Sequence, residues 1–139
     1  MGVYVFESIH LPWLKVGHHM VAPRRPNAYY RIAGRGFYSV IHPPELDGRL
    51  SMNDFRLVAW YPNLLRKDET SVHRLCDKQL RKGEFHPLHE MGLIRQTCEA
   101  LGGEHIVVTE GERKKAQQWG ARRAKQAQRR RAKLNRNKP

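Results

Sequence analysis

The last 28 residues of the chain limit what can fold, because they offer almost nothing to bury. From Glu112 to Pro139 the chain holds twelve Lys or Arg and one acid, and Trp119 and Leu134 are the only large apolar side chains. Residues 1–111 hold the other fourteen bases and twelve acids, so their charge is nearly balanced. A domain typically takes about 100–200 residues. The sequence therefore predicts one domain at residues 1–111 and a basic tail at residues 112–139.

Residues 1–111, the body of the chain, alternate short β-prone segments with helical ones. Apolar runs bounded by turn residues predict strands at residues 3–6, 13–16, 37–41, 56–61 and 105–109. Helical spacing and boundary residues predict helices at 27–33, 68–81 and 88–101, and residues 42–54 read as a loop. Since the first two strands form a hairpin, we expect an α/β fold of the α+β kind, with a small, mainly antiparallel sheet flanked by helices.

Two classes of protein are disfavoured by the sequence. Cys76 and Cys98 lack the spacing of a disulfide framework or a zinc ribbon. The N-terminus lacks the features of a signal peptide, and no apolar run approaches the roughly 20 residues that span a bilayer. We therefore expect an intracellular protein, in the cytoplasm, the nucleoid or a phage-infected host cell, with no membrane partner.

The basic tail predicts a nucleic-acid partner, DNA or RNA. Neutralising phosphates with Lys or Arg releases counterions and gives affinity that falls steeply with salt. The tail is rich in helix formers but has little to bury, so we expect it to be helical or disordered when free. A solubilising or targeting role also fits its composition. The cations expected to contact nucleic acid are Arg113, Lys114, Lys115, Arg122, Arg123, Arg129, Arg130 and Arg131.

Two short motifs lie in the first two predicted strands. Gly2-Val3-Tyr4 lies in the first strand, and Lys15-Val16-Gly17 begins eleven residues after Tyr4 in the second. Taken alone, Tyr4 fits a core aromatic residue and Lys15 a solvent-facing strand residue. Combined with residues on the helices that follow, the two motifs indicate a shared site.

Four residues on the predicted helices complete this set. Arg25 lies eight residues after the second motif, at the start of the first helix, and Tyr29 follows one turn later on the same face. Glu69 lies in the first turn of the next main helix, and His73 is one turn further on. Structural roles fit as well, since an acid in a first turn is favoured by the helix dipole.

The whole set, over residues 2–90, resembles the motifs of the GIY-YIG nuclease superfamily. That pattern has a Gly-Ile-Tyr strand, a Tyr-Ile-Gly strand, a helix bearing Arg with His or Tyr one turn later, and a helix bearing Glu. Lys15 replaces the second Tyr, as in some branches, and Glu84 and His86 occupy the region where an Asn often follows the catalytic helix. Residues 35–54 look like a variable insertion. The phage or homing-type members are the nearest analogy.

The resemblance implies a metal-dependent endonuclease that hydrolyses phosphodiester bonds in DNA. It implies that Tyr4 acts as general base or orients the attacking water, with Lys15 in support. It also implies that Glu69 holds one Mg²⁺ or another divalent cation such as Mn²⁺, which keeps several of its waters. Arg25 would bind the scissile phosphate, and Tyr29 would contact phosphate or the water network.

Several alternatives stay open. A protein of the same fold could bind DNA or RNA without cleaving it, as the loss of the second Tyr suggests, and an RNA- or ribosome-associated protein would fit the tail. We expect His18, His73 and His86 to contact nucleic acid. Zinc ligation is a competing role for histidines of this region. The residues with that potential are His73, Cys76, His86 and His89.

Overall fold

The computed structural model of the protein describes residues 1–20, 41–51, 54–107 and 109–137. Within these ranges the strands are β1 (Gly2–Ser8), β2 (Trp13–His19), β3 (Phe55–Pro62) and β4 (Phe85–Pro87). The helices are α1 (Arg66–Leu75), α2 (Met91–Ala100) and α3 (Glu110–Arg136). The predicted helix at 27–33 lies outside the described residues, together with Arg25 and Tyr29. So does nearly all of the predicted strand at 37–41.

The four strands form one antiparallel sheet in the order β3-β1-β2-β4. The fold thus consists of one small antiparallel sheet and separate helices, so the predicted α+β class is confirmed. The predicted hairpin is also confirmed, because β1 pairs with β2 from Gly2 opposite His19 to Glu7 opposite Leu14. The central position of β1 puts Tyr4 between Gly17 on β2 and Trp60 on β3.

Alternate residues of the strands supply two apolar clusters, one for each face of the sheet. One cluster contains Val3 and Val5 of β1 and is completed by side chains from α1 and α2, including Val72, Ile94 and Cys98. The other cluster contains Tyr4 and Phe6 of β1 and extends to the segment before β3. Its further members are Leu46, Leu50, Phe55, Leu57, Trp60 and Phe85.

The glycines of the two strand motifs are required by close packing. A Cβ at Gly17 would overlap the hydroxyl and ring of Tyr4 on the neighbouring strand. A Cβ at Gly2 would overlap the carbonyl oxygen of Tyr61 and come within 2.7 Å of the Trp60 ring. Each glycine therefore leaves room for a group of a neighbouring strand that any other residue would displace.

Helix α1 is shorter than the predicted helix at 68–81. The helix begins at Arg66, two residues earlier than predicted, and the Asp68 carboxylate accepts a hydrogen bond of 2.7 Å from the Leu65 N–H. The helix ends at Leu75 because Cys76 is extended and the Asp77 N–H donates to Glu90 Oε2 at 3.1 Å. The early end turns Cys76 into the interior.

Other boundaries also differ from the sequence-based expectation. Strand β4 was not predicted, and the predicted strand at 105–109 is wrong, since Ile106 forms only an isolated bridge with Trp60. The predicted loop at 42–54 contains a 3-10 turn, Pro44–Leu46, which buries Leu46. The predicted helix at 88–101 is observed as a 3-10 turn, Leu88–Glu90, that continues into α2.

The basic tail forms α3, which starts two residues before the predicted boundary at Glu112. Thr109 is the N-cap, and its hydroxyl accepts a hydrogen bond of 3.2 Å from the Glu112 N–H. A helix of 27 residues extends about 40 Å. Across the described residues, no helix is both long enough and apolar enough to cross a bilayer.

Candidate active site

Tyr4, Lys15 and Glu84 form a hydrogen-bonded row that joins three segments of the chain. The Lys15 ammonium donates to Tyr4 Oη at 2.8 Å and to Glu84 Oε2 at 2.8 Å. Lys15 is fully buried, whereas the Glu84 side chain is 41% exposed. The row thus leads from the interior of the sheet to the surface, with a cation in its middle.

The phenol of Tyr4 is held on every side by its neighbours. Its hydroxyl and ring lie against Gly17, and Phe6 meets the ring edge-on with centroids 5.3 Å apart. The Lys15 ammonium lies 4.9 Å from the centroid of the same ring, within cation–π range. Only 5% of Tyr4 is exposed. These contacts fix the hydroxyl in one position.

Burial and neighbouring charge have opposite effects on the pKa values of Tyr4 and Lys15. Burial holds the pKa of the Tyr4 phenol above its ordinary value, and this effect exceeds the lowering caused by Lys15. Burial alone would lower the pKa of the Lys15 ammonium, but attraction to Tyr4 and Glu84 outweighs it and leaves that pKa raised. At neutral pH the resting pair is therefore a neutral phenol and a charged ammonium.

A groove of about 480 Å³ lies beside this row and contains the predicted Glu69. Its walls combine two carboxylates with four basic or imidazole side chains, which suits a site for a metal and phosphate. The negative charge of Glu69 contributes to the raised pKa of Tyr4, so the two residues are close enough to interact electrostatically. The residues that line the groove are His18, Arg66, Glu69, Thr70, His73, Arg81 and Glu84.

Glu69 is oriented by a second row of hydrogen bonds that runs into the interior. Its Oε1 lies 3.2 Å from His73 Nε2, one helical turn away on α1. His73 Nδ1 lies 2.7 Å from His86 Nε2, and the two rings are nearly parallel, with centroids 4.9 Å apart. Glu69 is thus paired with His73, which is paired in turn with His86.

The three histidines predicted to contact nucleic acid differ in exposure. His18 lines the groove and is half-buried, with its Nε2 3.2 Å from the Leu64 carbonyl oxygen. His73 also lines the groove but is nearly buried. His86 is fully buried between β4 and α1, so a direct contact with nucleic acid is ruled out by its lack of exposed surface.

The structure therefore brings together Tyr4, Lys15 and Glu69 and adds residues that the sequence did not assign. Arg25 and Tyr29 lie outside the described residues. Glu84 was noted only because it stands where an Asn was expected. Its hydrogen bond to Lys15 joins residues that are 69 positions apart, so no local pattern could reveal it. Arg66 and Arg81 gave no sequence signal beyond their charge.

The predicted tail contacts lie along one long helix. Lys114, Lys115 and Arg122 are exposed. So are Arg129, Arg130 and Arg131 near the end of α3. Arg113 and Arg123 also lie on α3. The described part of the helix therefore presents cations to solvent over most of its length, as an electrostatic contact with a polyanion requires.

Removing three cations from α3 tests the predicted contact with nucleic acid. Binding to duplex DNA should become weaker and less dependent on salt. Changing Arg129, Arg130 and Arg131 together to Gln should make the slope of log K against log salt for duplex DNA shallower by up to about 3, since each neutralised phosphate contributes roughly 0.9. Fluorescence anisotropy with a labelled duplex at several salt concentrations measures this slope.

The matched control removes the same charge from the body by changing Arg49, Arg56 and Arg95, which are exposed, to Gln. Equal changes of slope in the two triple variants would show that α3 has no special part in binding.

No protein-family model matches the chain, and no curated protein or solved structure matches it either. The functional inference therefore rests on the groove, on the row of Tyr4, Lys15 and Glu84, and on the basic helix.

Proposed function

We propose that the protein is a metal-dependent endonuclease that hydrolyses phosphodiester bonds in DNA. The observation that carries the proposal is the Tyr4 hydroxyl, which is seated against Gly17 and hydrogen-bonded to a buried lysine, beside a groove that contains Glu69. A strand phenol, a neighbouring cation and a carboxylate on a helix are the groups that the GIY-YIG resemblance assigns to catalysis.

The groove has the chemistry that a hard divalent cation requires. Glu69 offers a carboxylate on the groove wall, and Glu84 offers a second one that is partly engaged by Lys15. Mg²⁺ binds through one or two carboxylates and keeps several waters, so Glu69 suffices as its protein ligand. When bound, Mg²⁺ or Mn²⁺ would neutralise charge on the phosphoryl oxygens and the leaving oxygen.

The remaining roles belong to the side chains of this chain. As a neutral phenol, Tyr4 orients the attacking water through its hydroxyl. To act as general base it must first release its own proton to solvent, and the Lys15 ammonium stabilises the resulting phenolate, which then accepts the proton of the water. Arg66 and Arg81 supply positive charge on the groove wall for the flanking phosphates. Arg25 remains the residue proposed for the scissile phosphate and Tyr29 for the adjoining water network, on the basis of the motif alone.

Changing Glu69 to Gln is expected to reduce cleavage of supercoiled plasmid by roughly 100-fold or more, because metal-ion stabilisation of the transition state contributes several kcal/mol. Wild-type protein should cut with Mg²⁺ or Mn²⁺ and not with EDTA. Gel analysis of nicked and linear products over time measures the rate.

Glu99 to Gln is the matched control, because Glu99 also pairs with a basic residue one turn away, Arg95, on an exposed helix. The proposal fails if wild-type protein binds plasmid but releases no nicked or linear product with any divalent cation. It also fails if Glu69→Gln cuts as fast as Glu99→Gln.

One observation favours a second function, a nucleic-acid-binding protein with no hydrolytic activity. Tyr4 is 5% exposed and Lys15 is fully buried, which is also what a structural hydrogen bond would give. Such a protein would bind DNA or RNA through α3 and release no products. Parallel incubations with plasmid and with RNA distinguish this function from the nuclease.

A further inference from the structure

We propose that Cys76, His86 and Glu90 form a buried binding site for a transition-metal cation, with Zn²⁺ as the expected ion, separate from the Glu69 groove. Each of the three residues offers one ligand atom, and these atoms lie within 4.8 Å of one another. The Cys76 thiol comes from the residue directly after α1, the His86 imidazole from β4, and the Glu90 carboxylate from the turn before α2. All three residues are buried.

The hydrogen bonds around the cluster engage one ring nitrogen of His86 and leave the other without a partner. Glu69 accepts from His73 Nε2, since a carboxylate oxygen accepts and a ring N–H donates. His73 Nδ1 and His86 Nε2, 2.7 Å apart, share the next hydrogen bond of the row. His86 Nδ1 is buried and has no hydrogen-bond partner among the described residues, so it is available as a metal ligand.

Two buried atoms of the cluster have no hydrogen-bond partner among the described residues: His86 Nδ1 and Glu90 Oε1. Glu90 Oε2, in contrast, accepts from the Asp77 N–H. A buried polar atom without a partner is costly, and buried charges are usually paired or coordinate metals. One cation at the centre would satisfy both atoms, whereas the single Cys76 proton cannot satisfy two.

The ligand set selects the kind of metal. A thiolate, an imidazole and a carboxylate are the donors of zinc sites, whereas Mg²⁺ and Ca²⁺ prefer oxygen ligands. Zinc–ligand bonds of about 2.0–2.3 Å place ligands roughly 3.3–3.8 Å apart in a tetrahedron, so ligand atoms at the 4.8 Å limit would have to draw together by roughly 1.0–1.5 Å on binding.

The site has the outer support that metal-bound histidines usually have. His73 holds the second nitrogen of His86 and fixes both its tautomer and its ring orientation. The sequence-based zinc alternative included His73 and His89, but His73 is engaged with Glu69 and His86, and Glu90 takes the place of a further histidine. Three elements of the fold would be tied together by one ion.

Cobalt binding tests this site without any measurement of cleavage. Full-length protein stripped of metal should bind one equivalent of Co²⁺ and develop a thiolate-to-metal charge-transfer band, and an excess of Zn²⁺ should displace the cobalt. Zinc added at a hundredfold excess over its Kd should raise the Tm by roughly 5–10 °C. Cys76→Ala should lose the charge-transfer band, and Glu90→Gln should bind at least about tenfold more weakly.

The matched control is Cys98→Ala, because Cys98 is also a buried free cysteine whose pKa burial raises to about 12, and it lies outside the cluster. This variant should keep the band and the zinc-dependent rise in Tm. The proposal is overturned if wild-type protein binds no stoichiometric Co²⁺, or if Cys76→Ala keeps the band. Loss of the band in Cys98→Ala, or wild-type affinity in Glu90→Gln, would also overturn it.

The outcome is independent of the proposed nuclease. Tyr4→Phe, which changes no group in contact with the cluster, should keep the cobalt band while losing cleavage, so failure of one site leaves the other testable.

Discussion

Replacing Tyr4 with Phe is expected to lower the rate of DNA cleavage by roughly 100-fold or more, the range contributed by a group that moves or positions a proton. The substitution removes only the hydroxyl that Lys15 donates to, while the ring keeps its place against Phe6 and Gly17. Because the loss falls on the chemical step, kcat should drop with little change in KM. Single-turnover cleavage of a labelled duplex measures this directly.

Tyr61→Phe is the matched control for this experiment. Tyr61 is also a buried strand tyrosine, and its hydroxyl bonds to His105 Nδ1 at 3.1 Å, away from the groove. Cleavage by Tyr61→Phe should stay within a few-fold of wild type, provided that circular dichroism shows equal folding. An unchanged kcat in Tyr4→Phe would remove Tyr4 from the catalytic residues.

Replacing Gly17 with Ala is expected to damage both stability and activity. The new Cβ would occupy the position of the Tyr4 hydroxyl and ring, so the phenol must move away from Lys15 or the strands must separate. Overpacking of this kind costs about 1–3 kcal/mol, which corresponds to a Tm lower by roughly 2–12 °C for a chain of this size. Cleavage should fall at least as far as in Tyr4→Phe at a temperature where both variants are folded.

Gly92→Ala supplies the opposite control. Gly92 lies near the start of α2, and a Cβ there would meet nothing within 4 Å. Alanine in a helix is favoured over glycine by about 1 kcal/mol, so this variant should melt at the wild-type temperature or slightly above it. If Gly17→Ala melted like Gly92→Ala and cut normally, Tyr4 would not be confined by Gly17.

The parts of the fold that the sequence predicted are those with strong local signals. The hairpin follows from two β-prone runs on either side of a Pro-containing turn, and β3 from an uninterrupted apolar run. The resemblance, and not the spacing, implied that Lys15 supports Tyr4. In the observed register Tyr4 lies opposite Gly17 and Lys15 opposite Phe6, so the two are diagonal neighbours in the hairpin.

The parts that the sequence missed depend on partners far away along the chain. Strand β4 has three residues and exists because β2 offers an edge to it, which no local pattern reveals. The end of α1 depends on a hydrogen bond from Asp77 to Glu90. The meeting of Cys76, His86 and Glu90 depends on both events. Their spacing matches no familiar metal motif, so only the folded chain shows the cluster.

His73 stands between the groove and the interior, with one ring nitrogen bonded to Glu69 and the other to His86. In the proposed nuclease, a substitution at this position would have to satisfy two neighbours with separate proposed roles, Glu69 in the groove and His86 in the metal site. A descendant of such a nuclease that gave up DNA cleavage would be free to change Glu69 but would still need a hydrogen-bond partner for His86. Persistence of a histidine at this position in an inactive descendant would therefore be a trace of the inner site rather than of a former nuclease.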